Sequence, residues 1–173
     1  MYFARLFVTL HPNIESVMEV VHKVLPNNEI IGELILLVNE GQRVTLPVKG
    51  NSMLPFIIGG KESVELVKSD RVAVGDVVLA WINGSRYVIH RVIRIEGNHV
   101  ELMGDGNLSG GEYCLTEEVM ALAEYVVSPN GKRRYLYSKK RCFMSRLWLR
   151  ILPIRRWILA VYRRTFLKLN IHL

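Results

Sequence analysis

The 173-residue chain has only two cysteines, Cys114 and Cys142, and they form no CxxC pair. That excludes a cysteine zinc cluster or a disulfide framework and fits free thiols in a reducing compartment. No run reaches the roughly 18 apolar residues of a spanning helix, and the opening "MYFARLFVTLHPN" is too short and poorly flanked for a secretory signal. The expectation is a cytoplasmic protein with neither signal peptide nor transmembrane helix. HExxH, Walker and dinucleotide motifs are absent, so no metal and no cofactor is expected. Repeats and low-complexity segments are missing too. So are carboxylates beyond Glu124: from Lys132 onward there are 13 Lys/Arg and no acid, whereas residues 1–131 hold 10 basic and 16 acidic side chains. Within the total of +7, a mildly acidic body carries a strongly basic tail.

What is present is enough apolar sequence, half of all residues, for one domain with a real core. In residues 13–25, Ile14, Val17, Val20, Val21 and Val24 recur at helical spacing, and Pro26 ends the stretch. A second helix is predicted from about Glu29 to Glu40, with Asn28 as N-cap, Ile30, Leu34, Leu37 and Val38 on its apolar face and Gly41 closing it. The period then changes to two. "RVTLPVKG" reads as a strand with Pro47 at an edge, "SVELV" as a second and "DVVLAWI" as a buried third. Asn83-Gly84 is a hairpin signal leading into "RYVIHRVIRI", and Gly97-Asn98 turns into "HVELM". Residues 116–127 suit either a helical turn after Thr116 or a closing strand. The reading is mainly β: an N-terminal helical segment over residues 1–41, a β domain over 42–131 and a basic amphipathic helical tail over 132–173.

The tail mixes Trp148, Trp157, Tyr162 and Phe166 with arginines every few residues, and Pro153 splits it. This composition suits a helix lying in an anionic membrane interface. It also suits a surface for a partner protein or packing on the chain's own β domain. Nucleic acid is the least favoured occupant.

Ser52, in "KGNSMLPFI", stands in a loop at the end of a strand. Such a serine is by itself more often a capping or solvated residue than a nucleophile. The G-x-S-x-G elbow is not met, because position 54 is Leu. Gly50 would allow a substrate close to the backbone. A nucleophilic serine needs a base and a group to orient that base. Of five histidines only His90 lies inside a strong β pattern, between Val88 and Val92 on one face, where burial favours the neutral imidazole of a general base. A satisfied core histidine is the alternative. Asp105, in the glycine-bracketed "MGDGN", follows a strand and could hold the imidazole, although Asp-Gly is also an ordinary turn.

In chain order, "GNSMLPFI", "VAVGDVVLAW", "YVIHRV" and "LMGDGN" together resemble the catalytic core of the signal peptidase I and LexA-like serine peptidases. The resemblance spans about residues 44–127. It implies a mostly β peptidase core with Ser52 as nucleophile and His90 as base, as in the Ser–His branch of archaeal and endoplasmic reticulum signal peptidases. Asp105 maps to the acid of a G-D-N-N-like segment, which here reads G-D-G-N. Gly50, Asn51, Met53 and Pro55 would line the substrate and oxyanion region, with backbone N–H groups near Ser52 meeting the oxyanion. The chain departs from the family in lacking a membrane anchor ahead of the serine, in having an N-terminal segment too short for a helix-turn-helix domain and in its basic tail. It is most similar to small stand-alone bacterial members.

The function implied is a serine endopeptidase that cleaves an extended, leader-like or signal-like peptide, with a peptide or protein as substrate and a peripheral place at the inner face of the membrane. Two alternatives are a catalytically idle peptide-binding module and a LexA-like self-cleaving regulator. The absence of Ala-Gly between residues 1 and 51 counts against the second.

Overall fold

The structure is a computed structural model that describes residues 7–9, 27–162 and 164. Among the described residues nine strands, β1 (Phe7–Thr9), β2 (Arg43–Pro47), β3 (Ser63–Val67), β4 (Val77–Ile82), β5 (Arg86–Glu96), β6 (His99–Met103), β7 (Glu112–Leu115), β8 (Val119–Val127) and β9 (Arg133–Tyr135), form one antiparallel sheet. Its order is β1-β2-β3-β8-β4-β5-β6-β7, with β9 paired to β8. Among the described residues three helices accompany it: α1 (Asn27–Asn39), α2 (Lys139–Arg150) and α3 (Leu152–Tyr162). The mainly β class expected from alternation is what the chain adopts.

Local chemistry explains the elements. Asn83 and Gly84 both have positive φ, 51° and 62°, as a two-residue hairpin turn matched to strand twist requires. They set β4 against β5 in the register Val78 to His90 and Leu79 to Ile89. Helix α1 ends at Asn39, and Gly41 (φ 86°) and Gln42 donate back to the Val38 and Leu37 carbonyls. The helix starts at Asn27, so Asn28 lies inside it rather than at its cap. The amphipathic stretch over 13–25 lies outside the described residues. Thr116–Glu118 forms one 3-10 turn and Val119 begins β8, so each reading of 116–127 holds for part of it. Strands β1, β7 and β9 carry no alternation long enough to have stood out.

Apolar side chains fill both faces of the sheet. Val77 and Leu79 of β4 point to a core shared with Leu34, Ile35 and Val38 of α1, Val44, Val64 and Val126. Val78, Ala80 and Ile82 point the other way, to Val88, Val92, Val100, Leu102 and Cys114. A strand buried on both sides reads as the continuous apolar run seen in "VVLAWI". Cys114 is buried and Cys142 half-buried, and both thiols are free.

A third cluster joins the tail to the body. Trp148 of α2 and Leu159 of α3 pack on Leu54, with Phe56, Ile58, Ile151 and Tyr162 around them. The inner side of the tail therefore packs on the chain's own β unit, on the loop between β2 and β3 that contains Ser52. That loop folds back tightly: Gly60 donates to the Val48 carbonyl at 2.7 Å and Val48 to that of Glu62 at 3.0 Å. A Cβ at Gly59 would come within 1.6 Å of the Gly50 oxygen. Gly59→Ala is therefore expected to destabilise the fold by about 1–3 kcal/mol or more, read as a lower urea midpoint at unchanged m-value.

Candidate active site

Ser52 is held by its neighbours on both sides. Met53 inserts into the core shared with α1, and Leu54 into the cluster beneath the tail. The Leu54-Pro55 peptide is cis, and Phe56 and Ile57 both donate to the Met53 carbonyl at 3.0 Å. Ser52, left partly exposed, faces a cavity of about 500 Å³ lined also by His90, Glu112 and Asn107. Leu46 and Val48 at the end of β2, Tyr87 and Ile89 of β5, and Ile30 and Ile31 of α1 supply apolar walls.

His90 is buried, and its Nδ1 lies 2.7 Å from Glu112 Oε2. The sheet explains the meeting. Val92, Leu102 and Glu112 are successive cross-strand partners on β5, β6 and β7, so their side chains share a side of the sheet. His90, two residues from Val92, shares it too. The other Glu112 oxygen accepts from Arg86, which belongs to the same side of β5. With Nδ1 engaged by a carboxylate, Nε2 is the ring nitrogen left to exchange a proton. Burial lowers the His90 pKa below its ordinary 6.5; the Glu112 charge and hydrogen bond oppose this, and the Arg86 charge adds to it. The imidazole is thus neutral near pH 7, as a base must be.

Asp105 does not orient this imidazole. Its two carboxylate oxygens accept from Arg91 Nε at 2.9 Å and Nη2 at 2.7 Å, in a pair where Asp105 is 1% and Arg91 4% exposed. The reason is electrostatic. His90 and Arg91 are adjacent on β5 and point to opposite sides, and a carboxylate at this depth requires the full cation. Arg91 also donates to the Gly75 carbonyl at 2.7 Å and lies over the Phe56 ring. The acid beside His90 is Glu112, which motif matching missed. Its one sequence signal is phase, because Glu112 alternates with the apolar Cys114 in "EYCL".

The segment 104–107 is nevertheless built against the serine. Gly106 donates to the Ser52 carbonyl at 2.6 Å. A Cβ at Gly106 would stand 2.6 Å from the Asn51 oxygen, and one at Gly104 2.5 Å from that of Ser52. Glycines at both 104 and 106 are thus what let the two loops touch. The tail buttresses them: Trp148 Nε1 donates to the Asp105 carbonyl at 2.7 Å, and Arg155, fully buried, donates to those of Asn107 at 3.0 Å and Trp148 at 3.2 Å. Of the residues expected to bind substrate, Met53 is buried in the core and Gly50 (φ 75°) supports the turn. Asn51 is exposed, and Pro55 follows the cis bond. Among the described residues no three His, Cys, Asp or Glu side chains form a metal-binding group.

Residues 16–126 match the family described as Peptidase S24-like. The chain belongs to that family. The match covers 111 of 173 positions (16 to 126 inclusive) and contains Ser52, His90, Asp105 and Glu112. It ends ahead of β9, α2 and α3, so the S24-like region stops short of the tail that supports its loops. Comparison with curated proteins finds no match.

Two substitutions separate the acids. Asp105→Asn leaves Arg91 buried without a counter-charge and is expected to cost about 3–5 kcal/mol of stability in urea unfolding. Glu112→Gln is expected to leave the fold intact and slow acylation of Ser52 by a serine-reactive probe about 10²–10⁴-fold. It removes a group that raises the His90 pKa, so the residual acid limb moves to lower pH.

Proposed function

We propose that this S24-like protein is a serine endopeptidase of the Ser–His type, with Ser52 as nucleophile, His90 as base and Glu112 as the group that orients the imidazole. The observation that carries the reading is a serine and a buried, neutral, carboxylate-bound histidine lining one cavity. Ser52 Oγ attacks the scissile carbonyl carbon while His90 Nε2 takes its proton, giving a tetrahedral oxyanion and an imidazolium. Glu112, on Nδ1, stabilises the imidazolium and fixes the ring. The imidazolium then protonates the departing amine as the C–N bond breaks, leaving an acyl ester on Ser52. Water, deprotonated by His90, hydrolyses it. Backbone N–H groups next to Ser52 would meet the oxyanion, held in place by the Gly106 bond beneath.

The substrate is an extended segment of another chain, leader-like or signal-like. Among the described residues β1 pairs with β2 through Arg43, Val44 and Thr45, and Leu46, Pro47 and Val48 border the cavity. An extended peptide laid there can place its side chains against the apolar walls.

Labelling with a serine-reactive acylating probe tests this. Wild-type protein should label, and Ser52→Ala should abolish labelling while His90→Ala lowers it at least about 10³-fold with the fold intact. Wild-type labelling no stronger than Ser52→Ala would leave a peptide-binding module instead. The protonated histidine is inactive and its pKa is depressed, so the acid limb of labelling should fall below pH 6.5.

A further inference from the structure

Helices α2 and α3 have an outer face that the site does not use. On α3, Ile154, Trp157 and Ile158 are 56%, 64% and 39% exposed, whereas Arg155 and Leu159 turn inward. The spacing i, i+3, i+4 makes the three one stripe. On α2, Phe143, Met144 and Leu147 are likewise exposed while Ser145 and Trp148 are buried. With Val161 of α3, 62% exposed, seven large apolar side chains on two consecutive helices face outward, a concentration that marks an interaction surface.

Charge selects the occupant. Lys139, Lys140, Arg146, Arg150 and Arg156 are exposed around the stripe, and no carboxylate occurs beyond Glu124 to offset them. A second copy offering the same face would set cation against cation. An anionic bilayer matches both halves of the pattern: apolar side chains and the Trp157 ring enter the interface, and the ammonium and guanidinium groups meet headgroup phosphates. At 11 residues α3 is far shorter than the roughly 20 needed to span, so it would lie along the surface. Among the described residues no helix is long and apolar enough to cross a membrane.

We propose that the outer face of α2 and α3 seats this protein on anionic lipid bilayers. The inner face of the same helices holds the 104–107 segment, so seating would fix the Ser52 cavity at a set height above the lipid. The inference goes beyond the peptidase reading and stands without it.

The test is flotation of the full-length chain with vesicles of phosphatidylcholine alone or mixed in equal parts with phosphatidylglycerol. The chain should float with the mixed vesicles, remain in the aqueous fraction with the neutral ones, and be released from the mixed ones by high salt. Trp157→Glu with Ile158→Glu should lower partitioning about tenfold or more, at an unchanged melting temperature. As a second reading that keeps the apolar face, tryptophan emission should move to shorter wavelength on adding mixed vesicles, by less in Trp157→Phe. The proposal is overturned if wild-type protein does not float, if the double variant floats equally, or if the emission shift is unaltered in Trp157→Phe. It is equally overturned if the double substitution instead disperses a concentration-dependent dimer that ignores lipid.

Discussion

The buried pair between Arg91 and Asp105 joins the parts of the site. One end is Arg91 of β5, the residue that follows His90. The other is the segment 104–107, whose Gly106 N–H supports the Ser52 carbonyl and whose Asp105 carbonyl receives Trp148. The strand that carries His90, the Ser52 loop and the tail thus meet at one bidentate contact. Desolvating two charges is costly, and such a pair adds little net stability compared with apolar packing. What it supplies is position, since the planar guanidinium fixes the distance and orientation between strand and loop.

A second acid could not be spared for that task. A carboxylate serving both Arg91 and His90 would have to reach two opposite sides of β5. The fold divides the work: Asp105 neutralises a permanent cation, and Glu112 attends a titrating ring. Arg86 on the same Glu112 helps keep that ring neutral at rest. The arrangement allows the imidazole to gain a proton transiently beside a carboxylate already in place.

Much of this was legible because it depends on local pattern. The strand alternation of "RVTLP" and "RYVIHRVIRI", the Asn83-Gly84 turn and Gly41 at the end of α1 needed only neighbouring residues. Ser52 and His90 stood out through ordered motifs, and the structure lines one cavity with both. The partner of His90 was not legible in the same way. Glu112 reaches it through the stacked register of β5, β6 and β7, a long-range fact that a four-residue strand does not announce. Asp105 misled because a motif gives sequence order without the side of the strand. Packing of the tail on the chain's own β unit was one of several readings left open for a similar reason: Trp148 and Arg155 look like interfacial residues until the carbonyls they bond, 43 and 48 positions earlier, are placed.

The adjacency of His90 and Arg91 also guards the pairing of the sheet. A slip of one residue along β5 would exchange their sides, sending the guanidinium toward Glu112 and Ser52 and the imidazole toward Asp105. The misaligned chain would part His90 from Glu112 and would bury Asp105 against a neutral ring, at a cost in stability. Correct alignment and the two contacts, His90 to Glu112 and Arg91 to Asp105, are therefore selected together, by two neighbouring side chains and the two-residue turn that sets their phase.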